Sequence, residues 1–69
     1  MNEMKFKQGE LVYFVTAPPI NDVEVNDFAI VNHYVSDYQV PINVVKVFVP
    51  KSKINCIIAE FRIKSVENQ

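Results

Sequence analysis

The chain has 69 residues, 49% of them hydrophobic and 22% charged, and its net charge is −1. A length this small fits one domain (residues 1–69) with a thin core, burying only about 60% of the surface that the unfolded chain exposes. Cys56 is the only cysteine and His33 the only histidine, which excludes an intrachain disulfide and leaves too few soft ligands for a structural zinc site.

In chain order, the opening MNEMKFKQGE is polar and lacks the apolar stretch of a signal peptide. No later run approaches the roughly 20 apolar residues of a membrane-spanning helix. The expected location is therefore cytoplasmic, with no membrane partner. Gly9, the only glycine, precedes a first strand expected over Glu10–Thr16, where Leu11, Tyr13 and Val15 alternate with Val12, Phe14 and Thr16. The next stretch, APPINDVEVND, is long for a hairpin connection. Pro18-Pro19 stiffens it, and Asn21-Asp22 and Asn26-Asp27 are turn formers. Two roles stand side by side for it: a functional loop, or a cover over an open barrel end.

A second strand is expected over Phe28–Val35. Its Ala29, Val31, His33 and Val35 form the smaller, more branched set and are the expected core face. Ser36-Asp37-Tyr38 reads as a turn. The third strand, about Ile42–Val49, lies in PINVVKVFVP, the densest β-branched run of the chain. Pro41 and Pro50 end its pairing, because proline has no N–H to give to a ladder, and it is expected to be the central strand. Lys51, Ser52 and Lys53 form a polar turn. Beyond it Ile57, Ala59, Phe61 and Ile63 alternate with Ile58, Glu60, Arg62 and Lys64, which predicts strand with the first set as its apolar face and the second charged after Ile58, and a 3₁₀ turn near Glu60 as a point of division.

These elements predict an all-β chain, a small barrel of four to five antiparallel strands. The segment Phe6-x-x-Gly9-Glu10-Leu11-Val12-Tyr13 resembles the opening strand of SH3-like barrels, including KOW and Tudor-type modules. The proline-bearing loop after it and the closing Phe61-Arg62-Ile63-Lys64-Ser65-Val66 are similar to the same family's later parts. The resemblance implies an SH3-like barrel and a binding module. Members of this fold class mostly bind peptides, modified side chains or nucleic acids, and the fold alone does not choose among them.

Catalytic signals are few: there is no Gly-rich phosphate loop, no nucleophile elbow and no paired metal-ligand motif. No enzyme activity, cofactor or metal is expected. A Cys56–His33 dyad requires the two to meet across strands, and His33 with Asp37 is the only other pair of interest. Binding signals are stronger. Tyr13, Tyr34 and Tyr38, with Pro18, Pro19 and Asp37, form a candidate groove for a protein partner, since tyrosine offers rigid area with a polar tip. Rings that plug the barrel ends account for the same residues equally simply.

Charge is uneven: residues 1–38 carry −4 and residues 39–69 carry +3. Lys46, Lys51, Lys53, Arg62 and Lys64 are the candidate anion-binding set, although a pI near 5.7 lacks the basic footprint of a dedicated nucleic-acid binder. The expected function is a non-catalytic protein-interaction module, a small regulator or inhibitor of a larger complex. Its size and composition also suit a phage accessory protein acting on a host factor. The alternatives are a nucleic-acid-binding accessory domain using the basic second half, and a self-assembling subunit, such as a homodimer, paired through a strand edge.

Overall fold

Alternation and proline punctuation set the strands, and the turns between them fall on residues that tolerate unusual backbone. The computed structural model describes residues 4–35 and 42–67. Among these the chain forms β1 (Leu11–Phe14), β2 (Phe28–Val35), β3 (Val44–Val49), β4 (Ile54–Ala59) and β5 (Ile63–Ser65), with a 3₁₀ turn at Glu60–Arg62 between the last two. The all-β expectation holds, as does the division near Glu60. The turn expected at Ser36-Asp37-Tyr38, and with it Pro41, lies outside the described residues.

The strands build one antiparallel sheet in the order β4-β3-β2-β1-β5. This arrangement is compatible with an SH3-like barrel, but the sheet is not closed. β4 and β5 are its two edges, joined through the 3₁₀ turn rather than by a ladder. β3 is paired on both sides, yet β2 and not β3 is the middle strand.

One side of the sheet carries the core. Val12 and Phe14 of β1, Ala29 and Val31 of β2, and Val45, Val47 and Val49 of β3 are all almost fully buried. Cys56 and Ile58 of β4 and Ile63 of β5 complete the layer. Fully burying a valine-sized side chain contributes roughly 1.5–3 kcal/mol before entropy is counted. This row is therefore the main source of stability. The first loop lies over it: Pro18 and Val23 are buried and Ile20 packs against the cluster. The loop thus covers the core side of an open sheet rather than the end of a closed barrel.

Two sequence expectations about faces fail for identifiable reasons. The β2–β3 register runs Val31↔Val47 and then His33↔Lys46, so Asn32 is an extra residue in β2. A bulge of this kind reverses the alternation beyond it. His33, expected in the core, is exposed, and Tyr34 turns inward opposite Val45. Along β4 the buried residues are Cys56 and Ile58, whereas Ile57 and Phe61 are exposed. The 3₁₀ turn resets the phase, so Ile63 is buried again although it shares odd numbering with Ile57.

Among the described residues, three that are not glycine hold positive φ: Asp22 (68°), Asn26 (74°) and Lys53 (55°). Asp and Asn accept this region through local side-chain bonding, and both lie in the expected turns. Gly9 has φ of 84°, and its N–H donates to Val31 O at 2.7 Å, fixing the entry to β1. A Cβ there would meet nothing within 4 Å, so backbone freedom alone favours glycine.

Candidate functional site: the outer face of the sheet

Directly opposed residues of antiparallel strands share a face, with Cβ atoms about 4.5–5.5 Å apart. On the side away from the core this brings together rows of side chains. Lys64 of β5 neighbours Tyr13 of β1, which neighbours Phe28 of β2. The next row runs Leu11, Ile30, Phe48 and Asn55 across β1 to β4. A third runs His33, Lys46 and Ile57.

Much of this face is apolar and in water. Phe28 is 55% exposed, Ile57 48%, Leu11 44% and Ile30 37%. Scattered exposed apolar residues are ordinary, but neighbours in register across several strands make a patch, and such patches mark interaction surfaces.

The electrostatics of the face are one-sided. The strand segments LVYF, FAIVNHYV, VVKVFV, INCIIA and IKS contain Lys46 and Lys64 and not one aspartate or glutamate. Described carboxylates lie in the loops and the 3₁₀ turn, as with Asp22, Glu24, Asp27 and Glu60. Lys46 and Lys64 sit on β3 and β5, separated by three strand spacings across the sheet and by two rows along it. They frame the apolar rows from two sides.

The expected tyrosine and proline groove is not assembled. Tyr13 faces outward beside Phe28, while Tyr34 is on the inner side and has its hydroxyl occupied. Tyr34 Oη donates to Glu60 Oε2 and accepts the N–H groups of Lys5 at 3.0 Å and Phe6 at 3.2 Å. Burial first, and the Glu60 carboxylate second, push its phenol up to about 12. Pro18 is buried by its own chain and is withdrawn from any binding surface, whereas Pro19 is exposed. Asp37 and Tyr38 lie outside the described residues.

The expected anion-binding set is likewise divided. Lys51 Nζ pairs with Asp27 Oδ2 at 2.9 Å and Glu24 Oε1 at 3.2 Å. Arg62 donates to Thr16 Oγ1 at 3.1 Å and Ala17 O at 3.0 Å, pinning the start of the first loop. Lys53 is exposed in the β3–β4 turn. Only Lys46 and Lys64 belong to the outer face.

His33 and Cys56 do not meet. His33 is on the outer face opposite Lys46, and Cys56 is buried on the inner face opposite Val47. Burial pushes the Cys56 thiol up, away from the reactive thiolate. Among the described residues no group of three or more His, Cys, Asp or Glu is placed to hold a metal ion. None of the described helical turns is long and apolar enough to cross a membrane.

Sequence reasoning placed Phe28, Ile30 and Phe48 on strands but did not weigh them as a binding surface. The signal was present in Phe28–Val35 and Ile42–Val49, the two expected strands without an acidic residue. Compared with known proteins, the chain matches no protein-family model, no curated protein and no solved structure.

Proposed function

We propose that this protein is a non-catalytic protein-interaction module of SH3-like architecture, a small regulator that docks on a larger complex through the outer face of its sheet. The supporting observation is the in-register patch of exposed Leu11, Phe28, Ile30 and Ile57 around the half-buried Phe48, framed by Lys46 and Lys64. Association buries the apolar rows, and the lysines select a partner whose matching surface carries carboxylates at its rim. Interfaces of this sort draw their energy from a few central aromatic anchors, here Phe28 and Tyr13. The test is capture from a lysate by the intact protein and by Phe28→Ala/Ile30→Ala, with near-ultraviolet circular dichroism as the folding control. Partners kept undiminished by the folded double variant overturn the assignment of this face.

A second reading has its own observation. Tyr13, Phe28 and Phe48 share the face with the two lysines, and aromatic platforms flanked by cations also stack and hold single-stranded nucleic acid. The pI near 5.7 weighs against it. Retention on immobilised oligonucleotide that falls steeply with salt, and is lost in Lys46→Ala/Lys64→Ala, supports this reading over the first.

A further inference from the structure

We propose that the open edge of β4 pairs two copies of this chain into an antiparallel, two-fold-symmetric dimer centred on Ile57. This edge adjoins the outer face and shares Ile57 with it, but the inference rests on the open main-chain groups of β4 and does not depend on the docking reading. Glu60 N–H donates to Asn43 O at 3.0 Å, which fixes the direction of the strand's polar groups. By strand alternation the N–H and C=O groups of Ile58, Cys56 and Ile54 turn toward β3, and those of Asn55, Ile57 and Ala59 turn to the open side. β4 ends the sheet order, and among the described residues no main-chain partner meets those outward groups.

Edges are ordinarily blunted by charge, proline, bulges or shortness. β4 has none of these: it is six residues long, INCIIA, without a charged residue, and its ladder with β3 is regular from end to end. The opposite edge, β5, is protected by being three residues long.

The occupant that fits is a second β4. A two-fold axis through Ile57 sets Ile57 against its own copy on the outer face. Asn55 then lies opposite Ala59 of the second copy, and Cys56 opposite Ile58. Each outward N–H meets an outward C=O, and no like charges are brought together because the strand has none. A β4-to-β5 contact would instead repeat head to tail, and the short β5 offers it fewer bonds. Pairing through β4 therefore closes at two copies.

Sedimentation equilibrium of the intact chain from about 1 to about 200 μM tests this. A reversible monomer–dimer equilibrium is expected. Asn55→Pro removes an outward N–H and no bond to β3. Ile57→Glu sets two carboxylates against each other at the axis, yet within one chain it gains Lys46 as its cross-strand neighbour. Each variant is expected to weaken dimerisation by about tenfold or more, with circular dichroism and the urea midpoint of the dilute monomer retained. Phe28→Ala, which touches the outer face but not the edge, should leave the dimer intact. A wild-type chain that stays monomeric throughout, a dimer indifferent to both edge variants, or rings and filaments each overturn the proposal.

Discussion

The Tyr34 hydroxyl and the Glu60 carboxylate tie the middle strand to the turn that leads into β5, and the same phenol oxygen receives the main-chain N–H groups of Lys5 and Phe6. One side chain thus fastens β2, the 3₁₀ turn and the N-terminal segment together. Removing the hydroxyl in Tyr34→Phe leaves the partly buried Phe6 N–H without its acceptor. A loss of about 1–2 kcal/mol is expected in urea unfolding, with faster amide exchange at Lys5 and Phe6 than elsewhere.

That contact also sets an alkaline limit. The Tyr34 phenol is held up at about 12 from its ordinary 10.0, because burial and the neighbouring carboxylate disfavour the phenolate. Its contribution is complete below the ordinary value and declines as pH rises from there through about 12. Urea midpoints across this range should fall less steeply in Tyr34→Phe than in the wild type; identical slopes would contradict the assignment.

At the acid end the relevant pair is Asp27 and Lys51. The Lys51 ammonium, then the Glu24 N–H, holds the Asp27 carboxyl below its usual range. Its contribution is therefore present above the ordinary carboxylate range and is lost as pH falls through the depressed value. Lys51 is open to solvent although the Asp27 side chain is largely covered, so the effect is modest and shrinks in salt. Lys51→Met should flatten the acid limb of stability at low ionic strength, and should change it little in high salt.

Face and core should separate cleanly under substitution. Phe28→Ala and Ile30→Ala remove side chains already in water and are expected to shift stability by no more than about 1 kcal/mol each. Phe14→Ala opens a cavity at a fully buried ring and is expected to cost about 3–5 kcal/mol. Thermal or urea unfolding of the three variants checks the ordering.

Lys53 closes the β3–β4 turn with φ of 55°, its N–H on Pro50 O at 3.3 Å. Glycine accepts this region without the Cβ penalty, so Lys53→Gly should stabilise the fold by about 0.5–1 kcal/mol. Lys53→Val should destabilise it. Melting temperatures moving the opposite way for either would place the turn in another conformation.

Strand positions were legible because alternation and β-branching are local: Phe28–Val35 was expected with the boundaries it has, and the division at Glu60 showed as a charged interruption of an apolar run. The faces were less legible. Whether His33 or Tyr34 turns inward depends on one unpaired residue, Asn32, and a bulge leaves no composition signal in a single strand. Sheet order was hidden for a related reason, since a dense valine run marks burial on both faces but not the middle position. The tyrosines drew attention by residue type. The separation of Tyr13 and Tyr34 to opposite sides of the sheet, and the burial of Pro18, follow from tertiary contacts that spacing does not encode.

Asn32 also bears on how this chain can be compared with others or altered in length. A strand with a bulge is written in two reading frames, one for Phe28–Val31 and another from His33 on. Deleting Asn32 would merge the two frames into one regular strand that keeps His33 opposite Lys46 and Tyr34 opposite Val45, so the bulge is the place where the middle strand can shorten by one residue without exchanging its faces. An ungapped alignment through this position would match residues by number and mismatch them by environment. A length change that the bulge does not absorb shifts one side of β2 by a residue and reverses its faces, which makes it more consequential than most substitutions.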